Sequence, residues 1–177
     1  SAASDVYKRQ DQGLFNKAEA FYKRALAIRE KALGANHPDT ASSLYSLAEL
    51  YRNHGLNSKA EPILQRALSI RLKTLGESHP DTAKSLNGLA TLHESQGLYS
   101  KAEALYQRTL TILEQTLGPE HPDTATSLTN LAAFYETHGA YSKAEALYER
   151  ALSIYRIALG PEHPDTANSL NGLAEIY

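Results

Sequence analysis

Apolar residues fall along this chain at helical spacing, and the spacing repeats. Ala41, Leu44, Leu47, Ala48 and Tyr51 sit at i, i+3, i+6, i+7 and i+10, with polar residues filling the gaps. After a glycine, Ala60, Ile63, Leu64, Ala67, Leu68 and Leu75 form a second stripe of the same kind. Nowhere do apolar and polar residues alternate as a half-buried strand requires, so the pattern predicts an all-α chain. The pair of stripes returns every 42 residues: His37, His79, His121 and His163 mark one phase. Gly34, Gly76, Gly118 and Gly160 mark a second, and Gly13, Gly55, Gly97 and Gly139 a third. A fixed period of this length predicts a solenoid, each unit being a first helix, a glycine turn and a second helix.

The residues between stripes read as helix boundaries. Gly34, Gly76, Gly118 and Gly160 suit the left-handed position that ends a second helix. In the recurring His-Pro-Asp-Thr, proline fits the first helical turn, and aspartate meets the positive end of the helix dipole. Asn57-Ser-Lys-Ala-Glu61 and its copies at 99–103 and 141–145 have the form of capping boxes opening the second helices. Asn16 with Glu19 is a weaker version. Pro62 stands where other units carry Ala20, Ala104 and Ala146, and is expected to weaken its helix start. Residues 1–12 match no later segment. The array is expected over 13–177, with a partial repeat at 13–36, full repeats at 37–78, 79–120 and 121–162, and a partial repeat at 163–177.

A histidine beside an aspartate four times over raises the question of chemistry. A metal site needs imidazoles from different units to converge, yet stacked units hold equivalent residues roughly a helix diameter (~10 Å) apart. No unit offers a second histidine at i+3 or i+4, and no serine near the motif has an oriented base to activate it. No cofactor or catalytic residue is expected, and the motif is read as structural. A net charge of −2 gives no electrostatic basis for general affinity to nucleic acid or anionic membrane. No apolar run approaches the length of a membrane span. With no cysteine in the chain, disulfides and thiolate sites are excluded, and a reducing, cytoplasmic setting is the expectation.

Small residues recur within the units: Ala48, Ala60 and Ala67, then Ala90, Ala102 and Thr109, then Ala132, Ala144 and Ala151. Together with Leu170-Asn-Gly-Leu-Ala174, the run Ala144–Ile154 and Leu117–Pro122, this order resembles the tetratricopeptide repeat, in its 42-residue form found in kinesin light chains. The resemblance covers residues 13–177. It implies a right-handed α-solenoid, a non-enzymatic scaffold, and a concave surface lined by the first helices on which a protein or peptide partner would lie.

On those first helices, one column varies from unit to unit while the buried stripe does not. It contributes Tyr45, Glu49 and Arg52, then Lys84, Asn87, Thr91 and Glu94, then Thr129 and Glu136, then Asn168 and Asn171. Carboxamides both donate and accept, as pairing with a peptide backbone requires, which singles out Asn87, Asn130 and Asn171. Gly88 and Gly172 interrupt the same frame in mid-helix, where glycine costs ~1 kcal/mol against alanine. Close approach of a ligand backbone would explain them; so would tolerated drift. The first helices sum to −6 and the second helices to +7. Lacking an Arg/Lys cluster, the column is not suited to acidic ligands. Basic residues on the second helices, among them Lys23, Arg24, Arg29, Lys31, Arg66, Arg71 and Lys73, are expected to be mainly solvated. An alternative use is self-assembly: Leu170, Leu173 and Tyr177 lie on a first helix with no second helix to cover it, which favours head-to-tail association.

Overall fold

In the computed structural model, which describes residues 2–177 and side chains from residue 12 onward, the described chain is eight helices and no strands. Two compact units divide it, residues 1–76 and 77–177. The first holds α1 (Ala2–Leu33), α2 (Pro38–Asn53) and α3 (Asn57–Thr74), with α2 packed between the other two. The second holds α4 (Pro80–Ser95), α5 (Tyr99–Thr116), α6 (Pro122–Thr137), α7 (Tyr141–Ala158) and α8 (Pro164–Ile176), each packed on the next. In the repeat's terms α2, α4, α6 and α8 are first helices and α1, α3, α5 and α7 second helices.

The apolar stripes are the cores. Ala41, Leu44, Leu47, Ala48 and Tyr51 are all buried on α2, and Ala60, Leu64 and Ala67 on α3. One cluster joins Ala41 and Leu44 to Ala67 and Ile70; its counterpart joins Ala125 and Leu128 to Ala151 and Ile154. Alanine on both helices lets the pair approach closely, while leucine and isoleucine fill the remaining space.

The linker motif is a set of specific bonds. Gly34, Gly76, Gly118 and Gly160 all have positive φ, as a left-handed helix end requires. Proline opens each first helix and aspartate follows. The cap itself is the histidine: Nδ1 accepts from the aspartate N–H two residues on, at 3.1 Å for His37, 3.0 Å for His79 and His121, and 3.2 Å for His163. Its ring proton is therefore on Nε2. The buried threonine closes the loop, its hydroxyl donating to the glycine carbonyl at 2.9 Å for Thr40 and Thr124 and 2.8 Å for Thr166. This imidazole substitutes for the Ser, Thr, Asp or Asn that usually caps a helix.

Two expectations fail. The first concerns the capping boxes. The second helices start earlier than those boxes require, with Leu56, Leu98 and Ala140 at the N-cap and no side-chain cap bond. Those same residues end the preceding helix. Leu56 N–H donates to Tyr51 O and Gly55 N–H to Arg52 O, a Schellman pair repeated at Leu98 and Ala140. A turn this tight leaves Ser58, Ser100 and Ser142 inside the first helical turn, where they cannot cap. The second concerns Gly13. Gly55, Gly97 and Gly139 have positive φ and break the chain, but Gly13 lies within α1, which runs on through it, so Asn16 caps nothing. Pro62 lies inside α3, in its sixth helical position, where it has no N–H for the Ser58 carbonyl, the bond whose loss is expected to weaken this helix start.

Candidate functional site

The glutamates of the supposed capping boxes hold neighbouring repeats together. Tyr51 donates to Glu19 at 2.7 Å, Tyr135 to Glu103 at 2.7 Å and Tyr177 to Glu145 at 2.6 Å, each spanning 32 residues. Lys23 also reaches Glu19, at 2.7 Å, and the Lys23 and Tyr51 hydrogen bonds together lower the Glu19 carboxyl below its ordinary range. Lys143 lies over the Tyr135 ring. On the second helices, Arg66 pairs with Glu30 at 2.7 Å, Arg150 with Glu114 at 2.6 Å and Arg108 with Glu77 at 3.2 Å. The basic surface is therefore partly committed within the chain. Arg29 donates to Asp39 O and Ser43 Oγ, and Arg71 is buried, reaching Ser42 Oγ and lying over the Tyr45 ring.

Against that frame the variable column separates into committed and available side chains. In the first unit, Glu49 and Arg52 pair through two hydrogen bonds of 3.0 and 2.8 Å and neutralise each other. Tyr45 is half-buried beside them, its hydroxyl pushed up to about 12 by burial and by Glu49. In the second unit, Glu94 accepts from Tyr106 at 2.9 Å and Glu136 from Tyr148 at 2.8 Å, so both carboxylates serve their own repeat. Burial and then Glu136 raise the Tyr148 hydroxyl well above its usual range. Thr91 Oγ1 lies 3.1 Å from the Tyr106 hydroxyl, and Thr129 bonds to its own helix at Ala125 O. Lys84, Asn168 and Asn171 are exposed; Lys84 lies 3.7 Å from Asp81, and Asn168 donates to Asp165 at 3.4 Å.

Asn87 and Asn130, one repeat apart on α4 and α6, are brought into contact. Asn130 Nδ2 donates to Asn87 Oδ1 at 3.1 Å, and both are half-buried. After this bond each carboxamide keeps both kinds of capacity: Asn87 its two amide hydrogens and one lone pair, Asn130 one amide hydrogen and its carbonyl oxygen. Asn171, on α8, stands outside the pair.

The mid-helix Gly172 is explained from within. A Cβ placed there would lie 2.3 Å from Cζ of Tyr148, so the glycine makes room for that ring rather than for a ligand. Gly88 is buried as well. Of the end residues, Leu170 is 51% exposed, Leu173 packs partly against the core of α5–α7, and Tyr177 is exposed although its hydroxyl is held by Glu145.

The family model described as the tetratricopeptide repeat matches residues 6–73, 53–115, 95–157 and 143–177. The chain belongs to the tetratricopeptide repeat family. Solved structures agree. BtubC (BKLC) from P. vanneervenii has a TM-score of 0.80 at 29% identity, over 96% of this chain and 67% of that one. A P. anserina putative kinesin light chain with nearly identical tetratricopeptide-like repeats has a TM-score of 0.73 at 29% identity, over 98% and 82%. MamA, with 18% identity and a TM-score of 0.52 over 96% and 90%, shares the fold alone. A search of curated proteins found no match. The tetratricopeptide array is thus an all-α helical-repeat solenoid of the kinesin-light-chain-like type, and arrays of this family are generally protein–protein interaction scaffolds, typically without enzymatic activity. Among the described residues no helix is long and apolar enough to cross a membrane.

Proposed function

We propose that the array holds an extended peptide segment of a protein partner along the first-helix face, with the Asn87–Asn130 pair as its central contact. The observation that carries this is the 3.1 Å bond between the two carboxamides. It holds two carboxamides against each other, each keeping donor and acceptor capacity for the C=O and N–H of a peptide. Holding them beforehand lowers the ordering cost of binding. Lys84, Thr91, Thr129, Asn168 and Asn171 flank the pair in this reading; Tyr45, Glu49 and Arg52 are the corresponding residues of the first unit, taken by itself. Since Glu94 and Glu136 serve internal tyrosines and Glu49 is neutralised by Arg52, the ligand is expected to be a neutral strand, and peptides rich in Asp and Glu to bind poorly.

The test is selection of peptides from a random displayed library against the wild-type array, followed by titration of the selected peptides. Replacing Asn87, Asn130 and Asn171 together by alanine should abolish binding at unchanged helicity and melting temperature. Full-strength binding by the triple variant, or selection of acidic peptides, refutes the reading.

A further inference from the structure

On α6, Asn130 occupies the place that Gly172 takes on α8, and Tyr106 on α5 the place that Tyr148 takes on α7, one repeat apart. At Gly172 the tyrosine lies against bare backbone: a Cβ there would come within 2.3, 2.5 and 2.7 Å of Cζ, Cε1 and Cε2 of Tyr148. Asn130 carries that Cβ and a carboxamide beyond it, so Tyr106 cannot lie as Tyr148 does. The Tyr106 ring packs on Phe134, one turn beyond Asn130 on the same helix, with ring centroids 5.7 Å apart.

The hydroxyls differ in step with this. Tyr148 donates to Glu136 at 2.8 Å, and Ala133, at the place of Thr91, has no hydroxyl to offer it. Tyr106 donates to Glu94 at 2.9 Å and also lies 3.1 Å from Thr91 Oγ1. A phenol has one hydrogen, and the carboxylate takes it as the stronger acceptor, so threonine is the donor in the second contact. Thr91 Oγ1 also lies 3.1 Å from the backbone oxygen of Asn87, one turn earlier on α4. A polar chain of Thr91, Tyr106 and Glu94 therefore ties α4 to α5 one turn from the Asn87–Asn130 bond.

We propose that Tyr106 is the positioning residue for Asn130. Thr91 and Glu94 hold its ring out of the place that Tyr148 takes, and the space kept open is the one through which Asn130 reaches Asn87. The inference rests on the peptide reading and adds to it a reason for where recognition is centred. The repeat of Tyr148, with glycine at 172 and alanine at 133, has neither the carboxamide nor the hydroxyl that would place it. Tyr106 itself is buried and acts through Asn130 alone.

Side-chain amide resonances of isotope-labelled protein test this without a ligand. In wild type the Asn130 amide is hydrogen-bonded and exchanges slowly with water. In Tyr106→Phe it moves to the free-amide position and exchanges roughly tenfold faster, as loss of one hydrogen bond allows. Thr91→Val does the same, and Thr91→Ser, which keeps the hydroxyl, retains the wild-type spectrum. Tyr148→Phe loses the matching tyrosine–glutamate bond one repeat later and leaves the Asn130 amide where it was, which separates positioning from loss of stability. Peptides selected on the wild type bind Tyr106→Phe roughly tenfold more weakly, because Asn130 must then be ordered on binding, and bind Tyr148→Phe equally well. Circular dichroism checks folding, and Thr91→Val replaces Tyr106→Phe if that variant loses helicity. An Asn130 amide unmoved by Tyr106→Phe and Thr91→Val, or moved equally by Tyr148→Phe, overturns the proposal. So does full-strength peptide binding by Tyr106→Phe where the triple alanine variant has lost it. Full-strength binding by the triple variant overturns the peptide reading instead, and the amide resonances then still decide the positioning.

Discussion

Replacing Gly172 by alanine sets two effects of known size against each other. In an open helix the change stabilises by ~1 kcal/mol, because glycine gives up more backbone freedom. Here the new methyl would sit 2.3 Å from Cζ and 2.5 Å from Cε1 of Tyr148, more than an ångström inside ordinary contact. Tyr148 has little freedom to withdraw: its side chain is buried and its hydroxyl is anchored to Glu136 at 2.8 Å. Overpacking of this kind costs ~1–3 kcal/mol, and a ring that rotates away also gives up a hydrogen bond to a charged group, ~1.5–3 kcal/mol. The penalty wins, and α8, docked through Thr166, Ser169 and Gly172, loosens from α7 by about 1–3 kcal/mol net. Amide hydrogen exchange of α8 reads this directly, and a melting temperature lowered by several degrees accompanies it. A double-mutant cycle with Tyr148→Leu, the residue that α3 carries at Leu64, should return alanine's helix benefit. If Gly172→Ala alone slows exchange in α8 and raises the melting temperature, the ring contact is not what requires glycine.

Pro62→Ala should raise the melting temperature, restoring the bond to Ser58 O, with a gain below the ~3 kcal/mol that proline costs in a helix interior; a fall would show a role for the proline. His121→Ala should lower stability by ~0.5–2 kcal/mol in urea unfolding, as loss of a cap does, and His121→Asn should recover most of it. Raising the pH above the ordinary tyrosine value of about 10 should unfold the array progressively. Tyr45, raised to about 12, and Tyr51, Tyr135, Tyr148 and Tyr155, also raised, hold their protons longer folded than unfolded. Their contribution is complete below pH 10 and is lost as the pH climbs through the folded values. Tyrosinate absorbance should therefore rise together with loss of helicity, and five early ionisations at constant helicity would contradict this.

What could be read along the chain was what depends on near neighbours and on period. The buried stripes, the proline at each first-helix start and the glycines with positive φ all follow from spacing within one turn. The errors came from residues whose partners lie elsewhere. Glu103 has the form of a capping residue relative to Ser100, but its partner is Tyr135, 32 residues on. Glu94 and Glu136 looked available on the ligand face because Tyr106 and Tyr148 lie on the next helix. Comparison between repeats held a signal: glutamate stands at 94 and 136 where tyrosine stands at 106 and 148, and arginine at 52 where leucine stands at 64. The Asn87–Asn130 contact was out of reach, because those residues occupy adjacent rather than equivalent positions in their repeats.

The Glu–Tyr rungs carry a consequence for how such a chain folds and grows. The Asn130–Asn87 bond spans 43 residues and each of the Tyr–Glu rungs 32, so these contacts join adjacent repeats. Loop closure therefore stays cheap however long an array becomes, and folding can begin at any repeat and spread. A whole 42-residue unit can be inserted or duplicated without remaking any rung, because the new unit brings both its tyrosine and its glutamate. Deleting a few residues inside a unit is a different matter: it shifts the tyrosine around its helix and away from its acceptor. Length in this architecture is free to vary by repeats and is held fixed within them.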